Sequence, residues 1–422
     1  MSTPPILILD GQTNQALACV RSIGRAGYPV FVASRRQWPL AAWSRWAAGA
    51  FRLRGETRED FEDLRAWAVR QGVAVVLPMT ERSCLLCNGA RESWEAAGII
   101  VGCGEPAMVM SAFDKAATLD AASDCGVAIP PTRLPRSEDE CRTAGDELGY
   151  PLVVKTRFSE ALVEGRLIRG GGASYVAGPD ELLPAVRKNR QGPYWPIVQG
   201  FVPGTGKGVS GLADHGRALG LVAHERLRDV RPSGSGSSLR RTISLEPRLR
   251  APVERLLARL RWHGPVMVEF RDDGGPSPCL MEVNGRFWGS TQLAVDAGLD
   301  VPRAWLELLL GRTVEPVTRY QAGVTLRWLW GDIKRLLTIL KGRPAGYPGA
   351  YPARLTGLRE LMQRQPPGTR LEAWRADDPW PALGEWVQGF GELMDLSRPP
   401  GQHRIVPERR AAHSQLMTHT EV

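Results

Sequence analysis

Short apolar runs alternate with segments of helical period through the first hundred residues. Ile6–Leu9 (ILIL) runs through Asp10 and Gly11 into a helix over Asn14–Arg25, and Val30–Ala33 is the next strand. Phe61–Arg70 has helical spacing, Val73–Leu77 (VAVVL) reads as a buried strand, Glu81–Ala97 as a further helix, and Gly98–Val101 closes the series. Strands this short and apolar, alternating with helices, predict a parallel sheet covered on both faces. From Ser111 the pattern changes. A helix carrying Asp114 and Lys115 precedes the strand Tyr150–Lys155 (YPLVVK), and the glycine-rich stretch 165–175 separates strand-like pieces. Ile197–Val202, Gly208–Leu212 and Ala218–Glu225 read as strands, and Arg231–Ser238 (RPSGSGSS) as a flexible loop. Strands and hairpins with few helices between them predict an α+β unit of about two hundred residues.

The most specific pattern lies within that unit. Pro265–Arg271 (PVMVEFR) and Cys279–Asn284 (CLMEVN) flank the turn-rich DDGGPSP, which predicts an antiparallel hairpin with a wide loop. Symmetric closure sets Glu269 opposite Glu282, and strand alternation then puts Glu282, Asn284 and Arg286 on one face. Opposed carboxylates repel unless something positive sits between them. Three oxygens around one gap suit Mg²⁺, with Mn²⁺ as the alternative ion. The plainer alternative is a half-exposed hairpin with solvated acids.

Composition narrows the function. The 422 residues are enough for two or three cores, and no 18-residue apolar run predicts an integral membrane segment. The N-terminus enters a strand directly, without the pattern of a signal peptide, so the expected compartment is cytoplasmic. Seven cysteines predict no disulfide framework, and Cys84 and Cys87 read as buried residues of a helix face. The net charge of +9 is spread along the chain without aromatic-interleaved basic clusters, which argues against nucleic acid as a partner. Arginine dominates the basic residues, so the six lysines stand out where the compact ammonium matters. Asp10-Gly11-Gln12-Thr13-Asn14 lacks two glycines of the dinucleotide fingerprint, which argues against a nicotinamide cofactor. It reads as an ordinary tight turn, with a small anion at the helix start as the alternative. Past residue 312, the region 313–397 holds the helix Trp328–Lys341 and Pro/Gly-rich connections, and 398–422 reads as a disordered tail. Trp328 and Trp330 with Arg327, Lys334 and Arg335 admit an interfacial membrane helix, but packing against the main body is the preferred reading.

Phosphate chemistry needs a metal, fixed positive charge and a cover that excludes water. Lys155 at a strand end and Lys115 on the preceding helix are placed to converge on a phosphate chain. Gly170, Gly171 and Gly172 form a loop whose amides approach phosphate oxygens without side-chain clash. Taken in order, Ser44–Leu53 (SRWAAGAFRL), Asp114-Lys115, YPLVVK, Val198–Gly204 (VQGFVPG), VMVEF and Met281–Ser290 (MEVNGRFWGS) resemble the ATP-grasp superfamily over about residues 1 to 340, and within it the carbamoyl-phosphate-synthase-like carboxylate–amine ligases. The resemblance implies an α/β N-terminal parallel-sheet domain (1–110), an α+β ATP-grasp domain (111–312) with a flexible central subdomain at about 150–202, and a small, mostly helical C-terminal region. It implies Lys115 and Lys155 on ATP, Gln199, Phe201 and Val202 lining the adenine cleft, and Glu269, Glu282 and Asn284 on Mg²⁺. Arg286 would hold the transferred phosphoryl group, with Lys155 beside it as the second catalytic cation.

The implied reaction is ATP-dependent joining of a carboxylate to an amine through an acyl-phosphate; the alternatives are a phosphotransferase and a non-catalytic nucleotide-binding protein. Arg228, Arg231, Arg240 and Arg241 flank the Ser/Gly loop and are candidates to clamp the small-molecule carboxylate. The chain departs from the family pattern at Gly285, where proline is usual and glycine gives the turn more freedom. It departs again at Gly200, Thr205 and Gly206, where acids are common beside the adenine and ribose. The oligomeric state is not legible.

Overall fold

The computed structural model describes residues 3–55, 57–163 and 166–396. Its first sheet comprises β1 (Ile6–Ile8), β2 (Val30–Ser34), β3 (Ala47–Arg52), β4 (Val75–Leu77) and β5 (Ile100–Val101), in the order β3-β2-β1-β4-β5. All four pairings are parallel, as expected of strands buried on both faces. Alternation along β1 sends Leu7 to one apolar cluster and Ile6 and Ile8 to another. Each cluster continues into the central sheet, which places the first sheet firmly against it. The edge strand β3 escapes a hydrophobicity reading because AAGAFR presents small residues with every second one exposed. The helix expected over 81–97 is two, Glu81–Gly89 and Arg91–Ala96. The helical path breaks at Ala90, beside a glycine that favours fraying. Cys84 and Cys87 are fully buried in the first of them.

A small lobe follows: β6 (Thr132–Arg133), β7 (Leu152–Lys155), β8 (Glu160–Val163), β9 (Arg166–Arg169), β10 (Ala173–Val176) and β11 (Ile197–Gly200). Four of these form an antiparallel-type sheet, β10-β7-β11-β6, and β8 and β9 pair separately as a hairpin. The lobe has its own apolar cluster, with Leu152, Val154, Val176 and Val198 inward under Cys141 and Leu182.

The large sheet has seven strands: β12 (Thr205–Asp214), β13 (Arg217–Arg231), β14 (Ser235–Ile243), β15 (Gly264–Asp272), β16 (Cys279–Asn284), β17 (Thr325–Arg327) and β18 (Arg370–Leu371), in the order β16-β15-β12-β13-β14-β17-β18. The Ser/Gly stretch expected to be a loose loop is instead the tip of the β13–β14 hairpin, with Arg231 paired to Ser235. Only Pro232 to Gly234 turn, and Gly234 takes the positive φ that this needs. The last two strands come from the C-terminal region, whose described helices are Leu329–Lys341, Arg354–Met362 and Trp380–Leu396.

Arg21, with no solvent exposure, fastens that region to the N-terminal unit. It donates to Asp378 Oδ2 (2.8 Å) and to the carbonyls of Glu372 and Ala373. The interfacial-membrane alternative fails on the same ground: Trp330 is buried, Arg327 is paired to Asp332 and Arg335 to Glu360. Among the described residues no helix is long and apolar enough to cross a membrane. The stretch 398–422 lies outside the described residues.

Candidate functional site

A cleft of about 870 Å³ runs between the small lobe and the large sheet. Its floor is β15–β16, where Glu269 pairs directly with Glu282 and Met267 with Asn284. The expected register therefore holds. The Asn284 amide nitrogen lies 3.5 Å from Glu269 Oε1 and 3.2 Å from Glu282 Oε1, so three polar groups converge on one gap. The Asn284 oxygen accepts from Arg286 Nη2 at 3.1 Å. Arg286 is also steadied by the carbonyl of Phe287 (2.9 Å) and the carboxylate of Glu81 (3.5 Å).

The charge that relieves this carboxylate pair was not among the sequence candidates. Arg226 of β13 forms a close ion pair with Glu269 through Oε2, leaving Oε1 turned toward Asn284. Gly206 makes room for it, since a Cβ there would stand 2.8 Å from Arg226 Cδ. Burial lowers the Arg226 pKa less than Glu269 and Asp229 raise it, so its affinity for the proton is strengthened. Burial pushes the Glu269 carboxyl up, and Arg226 only partly offsets this. Burial acts on Glu282 in the same direction, but Lys115, Lys155, Arg286 and Arg226 together outweigh it and hold the carboxyl below its usual value. The two acids thus differ: one is held by a single guanidinium, the other sits in a field of four cations.

Lys155 ends β7 and Lys115 opens the helix Lys115–Asp124; both line the cleft. Burial brings the Lys155 ammonium down to about 8 against the pull of Glu282. Lys115 donates to Ser159 Oγ at 3.3 Å, while its neighbour Asp114 caps the helix and takes a two-pronged contact from Arg157 (2.8 and 2.6 Å). Two of the other lysines have structural partners, Lys207 on Asp272 and Lys334 on Glu392. Gly170, Gly171 and Gly172 cover the cleft between β9 and β10. Gly170 has no room for a side chain, because a Cβ would lie 2.6 Å from both Phe158 O and Thr156 Oγ1. Its N–H is taken by Ser159 O at 2.8 Å, so of the three glycines it offers no amide to a ligand. Gln199, Phe201 and Val202 line the lobe side of the cleft with Tyr175, another residue missed in the sequence.

Of the four candidate clamp arginines, only Arg231 lines this cleft. Arg228 is 7% exposed and meets both oxygens of Asp332 at 2.9 Å. Arg240 is 2% exposed and ion-paired to buried Glu372. Arg241 pairs with Glu225 on the exposed outer side. The register shift between Arg226 and Arg228 explains the separation: the bulge gives the cleft Arg226 and sends Arg228 toward the helix Leu329–Lys341. Gly285 also differs from expectation. A Cβ there would lie 2.4 Å from the Trp262 ring and 3.0 Å from Ala112, so close packing, rather than freedom of the turn, calls for glycine.

Residues 196–331 match a family model described as ATP-grasp in the biosynthetic pathway with Ter operon. Solved structures with the same architecture include an N5-carboxyaminoimidazole synthetase from Staphylococcus aureus (TM-score 0.59, 14% identity, 77% of this chain and 82% of that one). A biotin carboxylase complex from Campylobacter jejuni gives a TM-score of 0.61 at 14% identity, over 76% of this chain and 74% of that one. The fold is the ATP-grasp fold. An L-amino acid ligase from Bacillus licheniformis shares it at 17% identity, with a TM-score of 0.56 over 75% of this chain and 76% of that one. No curated protein matches the sequence. In ATP-grasp terms the cleft lies between the small lobe and the large sheet, with the paired acids at its floor.

Proposed function

We propose that this protein is a Mg²⁺-dependent ligase that uses ATP to join a carboxylate to an amine through an acyl-phosphate. The observation that carries this reading is the opposition of Glu269 and Glu282 on the floor of a cleft whose walls bring Lys115, Lys155 and Arg286 to the same gap.

The donor set fits a hard divalent ion. Glu269 Oε1 and Glu282 Oε1 face the gap, and rotating the Asn284 amide would exchange its N–H donors for a third oxygen. Arg226 occupies the opposite oxygen of Glu269, so it steadies that carboxylate without blocking the gap. When bound, Mg²⁺ would supply charge neutralisation and alignment of the phosphates.

Lys115 and Lys155 hold the phosphate chain, and the amides of Gly171 and Gly172 close over it. Gln199, Phe201 and Val202 border the base. A substrate carboxylate oxygen attacks the γ-phosphorus, the bond to the β-phosphate oxygen breaks and ADP leaves, with Arg286 countering charge on the moving phosphoryl group. The amine nitrogen then attacks the acyl carbon, the C–O bond to phosphate breaks, inorganic phosphate leaves and the nitrogen gives its proton to solvent. Glycine-loop closure protects the acyl-phosphate from water.

An ADP-release screen over paired acids and amines, read by mass, tests the proposal. A condensed amide confirms it. A phosphorylated acid without condensation would make the protein a phosphotransferase, and ATP binding without turnover would make it a binder.

A further inference from the structure

A second cavity, of about 1350 Å³, opens at the carboxyl ends of β1 and β2 and shares Asp10, Gln12, Arg82 and Arg169 with the nucleotide cleft. Six guanidiniums line it against two carboxylates, and two of the six, Arg82 and Arg169, are met by Glu160 of the adjoining cleft at 2.8 and 4.0 Å. Both carboxylates are engaged. Asp10 accepts from Met79 N, Thr80 Oγ1 and Ser83 Oγ, while Glu392 is held by Lys334 at 2.8 Å and reached by Arg36 at 3.6 Å. Arg52 and Arg54, from the end of β3 and just beyond it, make no ion pair among the described residues. Trp38, 61% exposed, stands on the same rim. The guanidiniums of Arg52 and Arg54 favour anions at this mouth, and Arg geometry suits carboxylate and phosphate oxygens.

We propose that this cavity binds a substrate carrying at least two anionic groups, carboxylate or phosphate, distal to its reacting end. Arg52 and Arg54 hold the distal anions and Trp38 packs on the body of the molecule. The reacting end passes Gln12, Arg82 and Arg169 into the nucleotide cleft, where the ligase reading, on which this inference rests, places the phosphoryl transfer.

Isothermal titration of the full chain with tricarballylate and with fructose 1,6-bisphosphate, each alone and after saturation with ATP, separates the carboxylate and phosphate alternatives. At least one probe binds, ATP does not displace it, and Arg52→Ala/Arg54→Ala weakens it at least about tenfold while ATP affinity stays within about twofold. Arg54→Glu, a reversal at an exposed site, weakens it further. The inference is overturned if neither probe binds, if ATP displaces them, or if the variants bind as tightly as the native chain. Failure of ATP itself to bind would sink the ligase reading instead, and is read in the same titrations.

Discussion

Asp332→Ala separates structural arginines from substrate-binding ones. Asp332 is 2% exposed in the first turn of the helix Leu329–Lys341 and receives two guanidiniums, Arg228 at 2.9 Å and Arg327 at 2.7 Å, with side-chain exposures of only 6% and 10%. Removing the carboxylate leaves two neighbouring buried cations facing each other. Loss of one partner from a buried pair costs about 3–5 kcal/mol, and the like-charge contact puts Asp332→Ala at the upper end. Arg228→Met keeps the Arg327–Asp332 pair and much of the packing, so about 2 kcal/mol is expected, the range for a lost hydrogen bond to a charged group. Urea unfolding followed by tryptophan fluorescence measures both, and ATP titration of the same variants reads the cleft. A cost below about 1 kcal/mol for Asp332→Ala, the level of a surface pair, would refute the reasoning. So would a loss of ATP or acceptor affinity in Arg228→Met without a loss of stability.

Three further outcomes follow from the geometry. Lys155→Ala weakens ATP binding about 10- to 100-fold by calorimetry, as expected for a charge-assisted contact to phosphate. Because the Lys155 ammonium titrates at about 8 and only its charged form serves phosphate, ATP affinity holds steady below that pH and falls above it; Lys155→Arg removes the fall. Burial raises the Glu385 carboxyl to about 7, above its unfolded value, so the folded state binds its proton more tightly. Its contribution to stability is full below about pH 4.5 and is lost as pH rises to about 7, up to ~3 kcal/mol. Glu385→Gln is therefore the more stable protein at pH 8 and nearly equal to the native chain at pH 4.5, read by denaturant midpoints; equal midpoints at pH 8 would contradict this.

The parts of the molecule that were legible in the sequence are those fixed by local pattern. Apolar strands alternating with helices gave the first sheet, and the two apolar runs around DDGGPSP gave the Glu269–Glu282 register. Lys115 and Lys155 stood out because lysine is scarce. What stayed hidden depends on irregularity or distance. A bulge that no composition marks divides Arg226 from Arg228. The partners of Arg228 and Arg240 lie more than a hundred residues further along the chain, so four arginines near one loop looked equivalent although three of them serve elsewhere. Gly285 was read by its backbone when its reason is the Trp262 ring. The arginine cavity has the same character: its walls come from the turn after β1, the ends of β2, β3 and β9, and the helices Glu81–Gly89 and Trp380–Leu396, and no short window contains them.

The central claim is that Glu269, Glu282 and Asn284 hold a divalent ion which in turn grips the nucleotide. Titrating the native chain and Glu282→Gln with ATP, with and without Mg²⁺, tests it most directly. Mg²⁺ should strengthen ATP binding to the native chain by at least about tenfold, the scale of one charge-assisted contact, and this gain should vanish in Glu282→Gln. An equal gain in both proteins, or none in the native chain, would contradict it.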